Sequence, residues 1–127
     1  VHTARSNFVE MMLRLAAGGK PIRVVDSVAS PTYAPALAER TAVLLDRGAT
    51  GIFHIGGGTP ISWHDWAAKI FEAANLQPDL QKTTQQAFQA AARRPQYSAL
   101  SNAKMESQGV TPMPPLDEAL RDYFARR

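Results

Sequence analysis

Two short apolar runs, Ile22 to Asp26 and Gly51 to Ile55, are the clearest β-forming segments of this chain, and they constrain its fold more than any other feature. A pair of short strands is marginal in water. Val24-Val25 and Ile52-Phe53 therefore need further strands beside them, from residues outside this chain or from a partner. Helical patterns stand before, between and after the two runs, so the order is helix-strand-helix-strand-helix and then helices. That order predicts an α/β fold, mostly helical, with two or three short strands in an incomplete sheet.

The helices are legible from their caps and periodicity. Asn7 with Glu10 forms a helix entry, and Phe8, Met11, Met12, Leu15 and Ala16 recur at helical spacing until Gly18-Gly19. Pro35 suits the first turn of a second helix with the stripe Leu37, Ala38, Thr41, Leu44 and Leu45, stopped at Gly48. Ser62 and Asp65 take the N-cap and N3 places of a third, whose inward face is Trp63, Trp66, Ala67, Ile70 and Ala74 and whose end is near Asn75. From Leu76 to Leu100 the pattern is irregular, with a short helix expected near Thr84 to Ala92. Another is expected from about Asn102 to Gln108, and a last amphipathic helix carries Leu116, Ala119, Leu120, Tyr123 and Phe124. Gly51 to Ile55 reads as a strand covered on both faces, Gly56-Gly57-Gly58 as a flexible turn after it, and His54 as buried or half-buried.

A length of 127 residues fits one domain, and 45% hydrophobic with 20% charged residues is the balance of a soluble globular protein. Fourteen basic and eleven acidic residues leave a net charge of +3 without a run of like sign, which is no footprint for nucleic acid. The lack of cysteine excludes disulfides, thiolate metal sites and a cysteine nucleophile. No window approaches the roughly 20 apolar residues of a membrane helix, and Arg5, Glu10 and Arg14 interrupt the region where a signal peptide would be apolar. The expectation is a cytoplasmic protein with no membrane partner. A first residue of Val1 instead of methionine adds the expectation of a fragment.

Two loops have the chemistry of an anion or sugar site. In Arg93-Arg94-Pro95, followed by Tyr97 and Ser98, adjacent guanidinium groups on a proline-stiffened loop can chelate a diphosphate through bidentate hydrogen bonds. Read from the residues alone, the same pair is equally a solvated surface pair. In Ser30-Pro31-Thr32-Tyr33, hydroxyls sit on a restricted backbone after a strand, where α/β proteins bind ligands. Other machinery is missing. The position three beyond Gly58 is Ile61, so the glycine run lacks the dinucleotide spacing, and no tyrosine is followed four residues later by the lysine that would lower its pKa for proton transfer. His2, His54 and His64 have no metal-ligand spacing. No catalytic residue and no metal ligand are assigned.

Asn7-Phe8-Val9, Met12-Leu13-Arg14-Leu15, Val24-Val25-Asp26, Ser30-Pro31-Thr32-Tyr33-Ala34 and Leu37-Ala38 occur in an order that resembles the second half of dTDP-4-dehydrorhamnose reductases, extended short-chain dehydrogenase/reductases. Gly51-Ile52-Phe53-His54-Ile55, Ser62-Trp63, Ala92-Arg93-Arg94-Pro95 with Tyr97-Ser98, and Leu100-Ser101-Asn102-Ala103-Lys104 continue the likeness over nearly the whole chain. The chain departs from the usual pattern at Ser27-Val28-Ala29, Pro35-Ala36 and Ser101.

The resemblance implies a Rossmann-type parent enzyme that uses NADPH or NADH to reduce the C4 keto group of a dTDP-sugar. It also implies that residues 1–127 form a single substrate-side, carboxyl-terminal segment, with the cofactor-binding Rossmann portion absent. By position, Asn7, Ser30, Thr32, Tyr33, Arg93, Arg94, Tyr97 and Ser98 would border the sugar nucleotide, the arginines near its diphosphate. The segment alone is expected to bind no nicotinamide cofactor tightly and to be inactive. It is also expected to self-associate through unpaired strand edges. Two other readings keep the fold: a non-catalytic regulatory subunit, as in methionine adenosyltransferase, and a nucleotide-sugar epimerase or dehydratase.

Overall fold

The structure, a computed structural model, describes residues 7–88 and 92–127. In chain order the elements are α1 Phe8–Ala17, β1 Ile22–Val25, β2 Val28–Ala29, α2 Ala34–Asp46, β3 Ile61–Ser62, α3 Trp63–Ala73, β4 Leu80–Thr83, α4 Gln85–Phe88, α5 Ala103–Ser107 and α6 Leu116–Arg126. They fall into two compact units. The first joins the chain up to Ser27 with Ser62–Gln96, and the second joins Val28–Ile61 with Tyr97–Arg127.

In the first unit, local chemistry sets the helix starts as expected. Asn7 Oδ1 accepts from the Glu10 amide at 2.9 Å, and Ser62 Oγ accepts from the Asp65 amide at 3.0 Å, each satisfying an amide that the helix leaves free. The end of α3 is closed by Asn75, at φ 54°, with the Leu76 amide on Phe71 O and the Asn75 amide on Glu72 O. β1 buries Ile22 and Val24 and exposes Arg23, and it pairs in parallel with β4, Ile22 opposite Leu80 through Val25 opposite Thr83. Trp66, Ala67, Ile70 and Phe71 of α3 pack with Ile22, Val24, Val9 and Met12 as the buried apolar set, and the Phe8 and Trp63 rings meet at 4.7 Å.

The second unit is built round Ala36, Leu44, Met105, Val110 and Met113, with Tyr33, Leu37, Val43, Phe53 and Ile55 packed against them. Leu116, Ala119 and Leu120 give α6 its buried face, as the periodicity predicted. β2 lies beside β3, whose last residue begins the return to the first unit. α2 stops at Gly48, φ 67°, where the Ala49 amide reaches Leu44 O.

Three expectations are corrected. Gly51 to Ile55 is not a strand: Phe53 and Ile55 peg into the core while Ile52 is 75% exposed and His54 is exposed. A backbone carbonyl there is taken by a side chain instead of a ladder, since Lys104 Nζ donates to Ile52 O at 2.6 Å and lies over the Phe53 ring at 4.4 Å. β4, hidden in the polar stretch after Leu76, is a strand that exposes Gln81 and Lys82 and half-buries only Leu80 and Thr83. The buried face of α2 is rotated from the expected stripe: Ala36 and Leu44 are buried, whereas Thr41 is exposed and Leu45 is 70% exposed. Arg40 lies at helical spacing between Ala36 and Leu44, and on that side it donates to Thr111 O at 3.0 Å and Pro112 O at 2.9 Å. Of the helix expected near Thr84 to Ala92, Gln85–Phe88 is found as α4, and residues 89–91 lie outside the described residues.

Candidate functional site

Ser30 to Tyr33 lies in the second unit on the connection from β2 to α2, and the chain after Tyr97 runs beside it. Val28 bridges Tyr97 in parallel, Val28 O accepts from the Ser98 amide at 2.9 Å, and Ser30 Oγ accepts from the Leu100 amide at 3.0 Å. The glycine run closes the other side. The Gly57 amide donates to Thr32 Oγ1 at 3.1 Å, and Thr32 Oγ1 itself donates to Ser30 O at 2.8 Å. Asn102 then pairs with Gly56 as a peptide group would, its Oδ1 accepting from the Gly56 amide and its Nδ2 donating to Gly56 O, both at 2.9 Å.

This geometry corrects the reading of Gly56 and Gly57 as a flexible turn. Both are buried, and a Cβ on Gly57 would stand 1.8 Å from Pro31 O. They are glycines because two loops touch there backbone to backbone. It also tests the run as a nicotinamide dinucleotide cradle. Such a cradle needs bare amides aimed at the pyrophosphate, whereas the Gly56 and Gly57 amides are held by Asn102 and Thr32. The residues do not fit that group.

The expected site residues divide by what their polar groups already do. Thr32 both donates and accepts, Ser98 donates through its hydroxyl to Val28 O at 3.3 Å, and Asn7 caps α1. Tyr33 turns to α6, where its hydroxyl donates to Asp122 Oδ2; Asp122 also receives Arg126 Nε at 2.9 Å. Arg93, Arg94 and Tyr97 are exposed, and among the described residues neither arginine has a carboxylate partner. Asn7, Arg93 and Arg94 belong to the first unit, and Ser30, Thr32, Tyr33, Tyr97 and Ser98 to the second. Sequence reasoning did not single out Asn102 or Asp122. Asn102 stood within a family-like motif without a role, and Asp122 resembled any solvent-facing carboxylate of an amphipathic helix.

The Tyr33 contact sets a pH window. The hydrogen bond to Asp122 chiefly raises the Tyr33 pKa, and that bond, with Arg126, lowers the pKa of Asp122. A raised phenol pKa adds stability below its unfolded value, and this is lost as pH rises through the folded one. A lowered carboxyl pKa adds stability above its unfolded value, lost as pH falls through the folded one. Thermal melts of the wild-type chain should therefore decline more steeply above about pH 10 than those of Tyr33→Phe. Parallel declines would exclude the contact.

Comparison with known proteins places these features in a family. The profile described as "RmlD substrate binding domain" matches residues 2–127. A "Spore coat polysaccharide biosynthesis protein SpsK" of Bacillus subtilis is 37% identical over 123 residues, covering 96% of this chain and 43% of the relative. A dTDP-4-dehydrorhamnose reductase of Mycolicibacterium smegmatis is 37% identical, covering 94% of this chain and 38% of its own length. The crystal structure of dTDP-4-dehydrorhamnose reductase from Bacillus anthracis in complex with NADP superposes with a TM-score of 0.92 at 31% identity, over 98% of this chain and 45% of that one. The chain thus spans less than half the length of these proteins. Its fold is that of the matching part of an extended short-chain dehydrogenase/reductase, α/β and mostly helical with an incomplete sheet, and the resemblance read from its motifs holds.

Proposed function

We propose, of a chain that belongs to the RmlD substrate binding domain family, that it supplies the sugar-nucleotide-binding part of an NAD(P)H-dependent reductase acting on dTDP-4-dehydrorhamnose. The observation that carries this reading is the pair Arg93 and Arg94, exposed and without a carboxylate partner among the described residues. Two unneutralised guanidinium groups side by side suit a diphosphate, which accepts bidentate, charge-assisted hydrogen bonds. Tyr97, 63% exposed, offers an aromatic surface next in the chain, and the Ser30 to Tyr33 loop takes part in recognising the sugar. Ser30, Thr32, Ser98 and Asn7 then act chiefly by holding backbone in place.

Hydride transfer is assigned to the rest of such a reductase, which would bind NADPH or NADH. The glycine run here fits no pyrophosphate, and the Tyr33 hydroxyl faces a carboxylate, the reverse of the ammonium neighbour that would make a phenol a ready proton donor and acceptor. The 127 residues alone are therefore inactive and self-associate through open strand edges. No described helix is long and apolar enough to cross a membrane.

Titration calorimetry of the chain with dTDP tests the assignment. Wild-type protein should bind, and Arg93→Ala and Arg94→Ala should each weaken binding about tenfold, the effect of losing one charge-assisted contact. Equal affinity in all three would remove the arginines from the site. Oxidation of NADPH by the purified chain in the presence of dTDP-4-dehydrorhamnose would overturn the claim of inactivity.

A further inference from the structure

The Ser30 to Tyr33 loop is held at two places by different means. At Ser30 and Thr32 it is fixed by the amides of Leu100 and Gly57. At Tyr33 it is fixed by a side chain from the last helix. Tyr33 occupies the N-cap place of α2, yet its side chain does not cap that helix. Its hydroxyl donates to Asp122 Oδ2, and Arg126, one turn along α6, holds that same oxygen at 2.9 Å. Beside this contact lies an open groove of about 500 Å³ lined by Tyr33, Ala36, Arg40, Glu118, Asp122 and Arg126. Solvent reaches the Asp122 carboxylate, whose side chain is 39% exposed, while the half-buried Tyr33 side chain packs against the core of the second unit, so the hydroxyl contact ties that packed ring to α6.

We propose that Asp122 is a positioning residue for the Ser30 to Tyr33 loop, acting through the Tyr33 hydroxyl and oriented by Arg126, without touching ligand itself. Removing the carboxylate frees the phenol hydroxyl, and the restraint on the loop at its α2 end is reduced to the packing of the Tyr33 ring and the Leu37 amide on Tyr33 O. Ser30 and Thr32 then hold the Leu100 and Gly57 amides less firmly. The effect on ligand rests on the reading that this loop contacts the sugar nucleotide.

Amide hydrogen exchange on the 127-residue chain, read by NMR, tests the positioning directly. In Asp122→Ala the Gly57 and Leu100 amides should exchange about tenfold faster while the Leu44 amide, inside α2, keeps its rate. Asp122→Asn, which retains an acceptor oxygen, should restore slow exchange. If Asp122→Ala does not fold, Tyr33→Phe removes the hydroxyl alone and gives the same readout. Unchanged Gly57 and Leu100 rates, or equal acceleration throughout the second unit, would overturn the proposal. In parallel, affinity for dTDP-rhamnose should fall about tenfold in Asp122→Ala. Unchanged affinity would deny any role in recognition. If wild-type protein fails to bind dTDP-rhamnose, the assignment of the site fails, and the exchange rates still decide whether Asp122 sets the loop.

Discussion

A chain carrying Gly57→Ala should unfold about 10 °C below the wild type, a loss of about 3 kcal/mol. The new methyl carbon would stand 1.8 Å from Pro31 O and 2.9 Å from Pro31 C, both backbone atoms that cannot rotate away. One of the two loops must retreat. Retreat also parts the Gly57 amide from Thr32 Oγ1, now 3.1 Å away, so the overpacking and the lost hydrogen bond act together. Gly58→Ala is the comparison: that glycine is exposed, and its added carbon would press on Met113 O at 3.3 Å, a crowding that a shift of a few tenths of an ångström relieves, so its melt should fall far less than that of Gly57→Ala. Differential scanning calorimetry of both variants decides the matter. A Gly57→Ala melt within a degree of wild type would mean that the two loops do not meet as described.

Asn102→Leu should cost about 2–3 kcal/mol, because it removes two hydrogen bonds and leaves a buried peptide unable to find others. Gly56 is buried, so its amide and carbonyl lose their partners without gaining water. Asn102→Asp separates the two bonds. The acid keeps an acceptor for the Gly56 amide but sets a negative oxygen against Gly56 O, so at neutral pH it should fall between wild type and Asn102→Leu. Lowering the pH to protonate that carboxyl should recover part of the loss. Urea denaturation of the three proteins checks the order, and an Asn102→Leu midpoint equal to wild type would rule out the paired contact.

Features set by neighbouring residues were legible from the sequence, and features set by distant ones were not. Asn7 with Glu10 and Ser62 with Asp65 place two helix starts correctly because a cap and its amide lie three residues apart. Ile22 to Val25 shows its alternation in the side chains themselves. Phe53 and Ile55 are apolar for a reason that period alone does not reveal, since pegs into a helical core and residues of a ladder look alike in sequence. Arg40 marks the inward side of α2 through bonds to the carbonyls of Thr111 and Pro112, far along the chain. Within the candidate site the residue types stood out, with arginines beside proline and hydroxyls in Ser30 to Tyr33. What each hydroxyl bonds to depends on Gly57, Leu100 and Asp122, which only the folded chain brings near.

The parallel pairing of β1 with β4 has a consequence for synthesis. The whole stretch Val28–Ile61 belongs to the other unit and is inserted between the two strands, while the second unit in turn waits for Tyr97–Arg127. Neither unit can be completed from a continuous stretch of nascent polypeptide. Within these residues β1 has no strand to pair with until the ribosome has passed Leu80, and the contacts that Tyr97–Arg127 makes in the second unit come later still. Such an interleaved order makes closure of both units slow and late. A stop between Ile61 and Gln96 would leave both unfinished, and because the units interleave along the chain, no single cut releases either as an independent domain.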